Sequence, residues 1–213
     1  MPTPQAAGTE FLVNTTAAGN QATPAVAPYL PIGPSVVAGF VVTWESAGNG
    51  VFGQRHDADG TKAEGGAQIA GQIQVTTSGG RDNPAVAGSA NGYGGQFAVV
   101  WESDGRDDGG FGGDTLGSDA IYRQTYNADG TSHIVVQVNT HTNGDQDDPA
   151  IARLTDGGYV VTWVSDDQDG AGAGVYAQRH DAGYGTTGTE FRVNTTTANN
   201  QDEPAIGGVE TSQ

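Results

Sequence analysis

Short runs of apolar and β-branched residues recur along the chain in a fixed order, separated by polar clusters rich in Gly, Asn, Asp and Pro. The first run appears four times. It reads Thr23-Pro24-Ala25-Val26-Ala27, Asn83-Pro84-Ala85-Val86-Ala87, Asp148-Pro149-Ala150-Ile151-Ala152 and Glu203-Pro204-Ala205-Ile206-Gly207. Its prolines lie 60, 65 and 55 residues apart. A second run follows the first three copies: Phe40-Val41-Val42-Thr43-Trp44, Phe97-Ala98-Val99-Val100-Trp101 and Tyr159-Val160-Val161-Thr162-Trp163. A third carries an aromatic residue and a glutamine: Phe52-Gly53-Gln54-Arg55-His56-Asp57, Tyr122-Arg123-Gln124-Thr125-Tyr126-Asn127 and Tyr176-Ala177-Gln178-Arg179-His180-Asp181. The fourth is Glu10-Phe11-Leu12-Val13-Asn14-Thr15, Gln72-Ile73-Gln74-Val75-Thr76, Val135-Val136-Gln137-Val138-Asn139-Thr140 and Glu190-Phe191-Arg192-Val193-Asn194-Thr195. Segments of this length and composition, bounded by turn formers, predict strands. No stretch keeps a helical period over a useful length.

The repeat is therefore four strands in about 60 residues, here called a, b, c and d in order. Asp57-Ala58-Asp59-Gly60 and Asn127-Ala128-Asp129-Gly130 are turns between c and d, with Gly where φ must be positive. Four short antiparallel strands per repeat predict an all-β, β-propeller-type array of four-stranded blades. A β-trefoil, also built from three four-stranded repeats, is the alternative. The chain reads as one repeat domain with units at 24–83, 84–148 and 149–203, and partial repeats at 9–23 and 204–213. It opens on a d strand and closes on an a strand. Three blades are too few for a usual closed ring, and open ends leave strand edges unpaired. The expectation is a section of a longer array, a ring completed by a second copy, or a polymer built through the end strands. The Trp closing each b strand is expected to pack between blades.

Composition narrows the function. The chain has 213 residues, 35 of them Gly and 9 Pro, and a net charge of −17. So polar and Gly-rich a chain would be read as disordered without the repeat. No run of 18 apolar residues predicts a membrane span, and the first residues lack the basic and apolar regions of a usual signal peptide. The absence of cysteine removes disulfides, thiolate zinc sites and iron–sulfur clusters. A pI near 4.1 argues against nucleic acid, which needs clustered Lys and Arg. Excess carboxylate suits hard cations such as calcium.

The b–c loops hold the candidate chemistry. In the third unit the loop carries Asp166, Asp167 and Asp169 around Gln168 and Gly170. In the second it carries Asp104, Asp107 and Asp108, then Gly109 to Gly117 with Asp114, then Asp119. Calcium takes six to eight oxygens, which closely spaced Asp side chains and Gly-freed carbonyls can supply. The same residues also make ordinary turns. Residues 109–117 match the nonapeptide Gly-Gly-x-Gly-x-Asp-x-Leu-x, a pattern that binds calcium when copies stack; here there is one copy. A second acidic stretch, Asp145-Gln146-Asp147-Asp148, precedes strand a and has counterparts at Arg81-Asp82-Asn83 and Gln201-Asp202-Glu203. Asp82, Asp147 or Asp202 is expected to hydrogen-bond backbone at the blade junctions. His56 and His180 stand where Tyr126 stands in the other unit, which favours packing over catalysis. The recurring Gln54, Gln124 and Gln178 point first to strand pairing and second to repeated sugar pockets. Asn14 and Asn194 begin glycosylation sequons in form, expected to be by-products of the repeat. No nucleophile elbow, zinc-helix motif or phosphate loop is present, and the acids cluster in solvated turns, so no enzyme is expected.

The cycle resembles tandem repeats of very large extracellular bacterial proteins of the RTX and surface-adhesin kind. Their consensus runs strand b, Ser-Asp-x-Gln-Asp-Gly, Tyr-Ala-Gln-Arg, Glu-Phe-x-Val-Asn-Thr, and residues 160–195 match it best. The resemblance implies a secreted or surface-displayed, calcium-binding, non-catalytic module with a structural or adhesive role. Folding would be coupled to leaving the low-calcium cytoplasm. The alternatives are a propeller lectin that binds glycans and a self-assembling fibre or sheath subunit. Expected partners are calcium, glycans or a cell-surface protein, and other copies or repeats of the same kind, with no nucleic acid and no membrane span.

Overall fold

A computed structural model describes residues 9–15, 19–29, 39–63, 72–76, 81–88, 95–103, 118–127, 130–183 and 185–208. These form twelve strands and no helix. The strands are β1 (Gln21–Tyr29), β2 (Gly39–Ser46), β3 (Gly50–Asp57), β4 (Ile73–Gln74), β5 (Arg81–Gly88), β6 (Phe97–Ser103), β7 (Ala120–Tyr126), β8 (Val136–Gln137), β9 (Gln146–Arg153), β10 (Tyr159–Asp166), β11 (Ala173–His180) and β12 (Thr186–Arg192). They build three separate sheets of four strands in sequence order, β1-β2-β3-β4, β5-β6-β7-β8 and β9-β10-β11-β12, all pairs antiparallel. The a, b, c and d assignment from sequence is thus the sheet order. Strands a of successive sheets pack together, β1 against β5 and β5 against β9. Among the described residues no helix is long and apolar enough to cross a membrane.

Strands b and c pair without interruption, from Gly39↔Asp57 to Ser46↔Gly50 in the first sheet and from Tyr159↔His180 to Asp166↔Ala173 in the third. Strand d is shorter than the sequence suggests: β4 and β8 have two residues each. Past the end of strand d, in all three sheets including the seven-residue β12, a side chain takes over from the ladder. Thr76 Oγ1, Asn139 Oδ1 and Asn194 Oδ1 each accept the backbone N–H of the facing c strand, at Val51 (2.8 Å), Ile121 (2.9 Å) and Val175 (2.9 Å). The same position of the fourth run closes each sheet in this way, as Thr76 in the first and as the Asn of Asn-Thr in the other two. Asn194 also donates to Thr196 and Gln201, so this sequon is part of the repeat's internal bonding. The outer runs at 9–15 and 201–208, expected as d and a strands, form no ladder of their own.

The second and third sheets each offer an aromatic face to the aliphatic face of the sheet before. Phe97, Val99 and Trp101 pack on Val41 and Val51, and Tyr159, Val161 and Trp163 pack on Ala98, Val100 and Ile121. Trp101 and Trp163 are almost fully buried, as their position at the end of strand b predicts. Beneath each b strand an equivalent ring pair stacks: Phe40 with His56 (5.2 Å), Phe97 with Tyr126 (4.7 Å) and Tyr159 with His180 (4.9 Å). The histidines are therefore packing residues. Burial, helped by the Arg123 charge, pushes His180 down to about 4 and keeps it neutral.

Candidate functional site

Strand a breaks its register at the residue before each proline, between Ala22 and Ala25, between Asp82 and Ala85, and opposite Thr162 and Val164. Proline restricts the residue before it, and a bulge absorbs the extra residue. Thr23, Asn83 and Asp148 take left-handed φ values of 45°, 48° and 50°, and Glu203 in the fourth copy takes 51°. These four residues and their prolines line one open cavity of about 320 Å³. The lining side chains supply a hydroxyl, an amide and two carboxylates, and none is basic.

Behind this cavity the second and third sheets are tied by Glu102. Its two oxygens accept Asn83 Nδ2 (3.1 Å) and the Asp148 backbone N–H (2.9 Å), and Asn83 Nδ2 also reaches Asp148 Oδ1 (3.1 Å). Burial pushes the Glu102 carboxyl up to about 7, against those hydrogen bonds and with help from the Asp147 and Asp148 charges. Nearby, burial pushes Asp147 up to about 6, assisted by Asp119, Asp145, Asp166 and Asp148. Asp166 is raised as well, by burial and then by Asp145 and Asp167. Of the sequence-predicted metal residues, Asp119 and Asp166 thus share one acidic junction with Asp145, Asp147 and Asp148 of the stretch before strand a. Among the described residues no three carboxylate or imidazole groups are set to hold a metal ion. The junction bonds to backbone come from the neighbours of Asp147: Asp145 Oδ1 accepts the Asp119 N–H (3.3 Å), and Glu102 accepts the Asp148 N–H. Asp104, Asp107, Asp108 and Asp114 lie outside the described residues, as does the nonapeptide.

The third b–c loop separates its predicted ligands. Asp167 sits exposed at the tip with φ 58°, its N–H bonded to Gly172 O. Asp169 turns inward, with a side chain only 1% exposed. Its Oδ1 accepts the Ala171 N–H (3.1 Å), whereas Oδ2 has no hydrogen-bond partner and stands 3.8 Å from Arg192 Nη1. Gln168 donates to Glu190 and leaves its own Oε1 buried and unpaired. Glu190 in turn accepts the backbone and hydroxyl of Thr140, at 2.7 and 2.9 Å, from the end of the second sheet. Gln168 and Glu190 were not singled out by sequence. The signal was there in the third unit alone, where Gln168 and Glu190 stand at the two consensus motifs.

The recurring glutamines have a structural use. Gln178 Nε2 bonds Arg179 O and Thr187 O, and Gln124 Nε2 bonds His133 O, tying strand c to the d side of the sheet. A second pair of glutamines, missed by sequence, receives the indole N–H of the b-strand Trp: Trp44 to Gln21 (2.8 Å) and Trp163 to Gln146 (3.0 Å). No family model matches the chain, and neither a curated protein nor a solved structure matches it.

Proposed function

We propose that this chain is an extracellular, calcium-associated, non-catalytic scaffold of propeller-type blades, with a structural or adhesive role at a bacterial surface. The observation that carries the reading is the convergence of four repeat-equivalent left-handed residues, each followed by proline, on one cavity. Separate four-stranded sheets whose first strands pack on one another and line one cavity fit propeller blades better than a trefoil. Calcium fits the donors present. They are hard oxygens in a chain of net charge −17, including the unpaired buried atoms Asp169 Oδ2 and Gln168 Oε1. When bound, the ion would supply positive charge that offsets carboxylate repulsion between loops and sheets. Asp169 and Gln168 would hold it, and Glu190 would orient Gln168. The test is thermal melting with calcium and with EDTA, beside light scattering. A calcium-dependent rise in Tm is expected; identical melting in both would remove calcium from the function.

One observation favours continuation or self-association as a second reading. Val26 is 65% exposed, whereas its equivalents Val86 and Ile151, each covered by the preceding sheet, are 7% and 8% exposed. The first sheet therefore presents a face that another unit of the same repeat would cover. Val26→Asp is expected to reduce the sedimenting mass of any assembly while leaving the monomer folded. A lectin role would need pockets other than those of Gln124 and Gln178, whose amide N–H groups bond strand carbonyls; a glycan array tests it.

A further inference from the structure

The missing side chain of Gly174 leaves room between two side-chain oxygens and an aromatic edge. A Cβ at this position would lie 3.2 Å from Asp169 Oδ2, 3.4 Å from Tyr176 Cε2 and 3.5 Å from Asn194 Oδ1. Of these, Asp169 Oδ2 is buried without a hydrogen-bond partner. Asn194 Oδ1 accepts one bond, from the Val175 N–H, which leaves its second lone pair available. Gln168, next to Asp169 in the chain, also has a buried, unpaired Oε1. A buried carboxylate oxygen left without a donor is costly, and a charged partner removes that cost. The Arg192 guanidinium, ion-paired with Asp169, stops at 3.8 Å, beyond hydrogen-bond reach, and is itself partly exposed.

We infer that the space beside Gly174 is a single divalent-cation site, held by Asp169, Gln168 and Asn194 and guarded by Arg192, which the incoming ion displaces. The inference rests on the calcium reading above and places it on three named residues instead of the Asp166, Asp167 and Asp169 set that the sequence suggests. One carboxylate, two amide oxygens and waters make a weak site, with Kd about 0.1–1 mM, the range of extracellular modules. Arg192 acts as a built-in competitor. It neutralises Asp169 when calcium is scarce and swings into solvent when calcium is plentiful. Gln168 links the site through Glu190 to Thr140, so occupancy also tightens the junction of the second and third sheets.

The site belongs to the third sheet. The equivalent of Gly174 in the second sheet is Ala120, since Ser103↔Ala120 and Ser165↔Gly174 are matching pairs. Alanine is therefore tolerated by this fold at this position, and Gly174→Ala should fill the cradle without unfolding the sheet.

The experiment is calcium chloride titration of the full chain by calorimetry, with terbium luminescence excited through tyrosine as a second readout. The wild type should bind one calcium at this site. Gly174→Ala and Asp169→Asn should each weaken it at least about tenfold, since each removes space or the only charged ligand. Asp169→Asn keeps the acceptor for Ala171, so circular dichroism should be unchanged. Arg192→Gln should tighten binding about fivefold, because a like charge near 4 Å is removed. Tyr176→Phe should quench the terbium signal with calcium affinity unchanged. Wild-type binding that none of these variants alters would overturn this site and leave a calcium scaffold with its ion elsewhere. No saturable binding up to about 10 mM would overturn both the site and the calcium reading, since that is beyond the weakest physiological range.

Discussion

Glu102 Oε2 accepts the backbone N–H of Asp148 at 2.9 Å, and so a side chain of the second sheet caps the bulge of the third. The equivalent of Glu102 in the third sheet is Val164, which cannot make that bond to Glu203. The junction is thus built from one buried carboxyl whose proton affinity is raised to about 7 from 4.5. Between pH 4.5 and 7 the folded chain keeps a proton that the unfolded chain has lost, so stability falls as pH rises through that window. Above it the penalty is constant. Asp147, raised to about 6 from 3.8, adds a slope of the same sign at lower pH. Glu102→Gln is expected to gain stability relative to wild type as pH rises toward 7, with no further gain beyond. Urea melts at several pH values check this, and parallel curves for the two proteins would show that the carboxyl titrates normally.

The third sheet carries the opposite slope at His180. Its pKa is held near 4 in the folded chain against an ordinary 6.5, so stability is lost as pH falls through that interval. Neither ring nitrogen has a hydrogen-bond partner, and the neighbouring Gln178 Oε1 is unpaired as well. The second sheet shows the remedy, since Tyr126 hydroxyl donates to Gln124 Oε1 at 2.7 Å. His180→Tyr is expected to add about 1 kcal/mol at neutral pH, the worth of one buried hydrogen bond, and to remove the loss at acid pH. Destabilisation at both pH values would mean that the pocket under Tyr159 is too small for a phenol.

Legibility differed by level. The order of strands, the sheet pairing and the burial of Trp101 and Trp163 follow from short-range pattern, because β-branched runs between Gly and Asp turns admit few other structures. The bulge was hidden. Asn83 and Asp148 are of the types enriched at positive φ, but Thr23 and Glu203 at the equivalent positions are not, and the following proline disfavours only the right-handed helix. The site was half legible. Asp169 stood in a predicted set, yet which of three neighbouring carboxylates turns inward depends on the Gly170 and Gly172 backbone, both at positive φ. Gln168, Gly174 and Asn194 come from a loop, from β11 and from the segment after β12, which meet only in the folded sheet.

Gly158 marks a contact where no side chain fits. A Cβ there would lie 2.4 Å from His180 O, a backbone atom that cannot move without shearing β10 from β11. Gly158→Ala is expected to destabilise by at least about 3 kcal/mol, at the top of the range for overpacking. A chemical melt measures it. A cost below about 1 kcal/mol, as for an ordinary exposed glycine, would mean that the hairpin entrance is looser than its geometry suggests.

The sharpest test of the repeat logic is the side-chain bond that closes each sheet. Asn139 is buried and holds the Ile121 N–H, and the same bond is made by Thr76 in the first sheet and Asn194 in the third. Asn139→Ala leaves the Ile121 N–H without its acceptor in the core beside Tyr176 and Trp163, and should cost about 2 kcal/mol. Asn139→Thr places a hydroxyl where Thr76 has one, so it should restore most of that loss. The pair separates two meanings of the motif. If Thr rescues and Ala does not, the bond to strand c is what the repeat retains at this position. If both variants lose equally, the second Asn139 bond, from Nδ2 to His141 O at 2.7 Å, is the one that holds the end of the sheet, because Thr cannot make it.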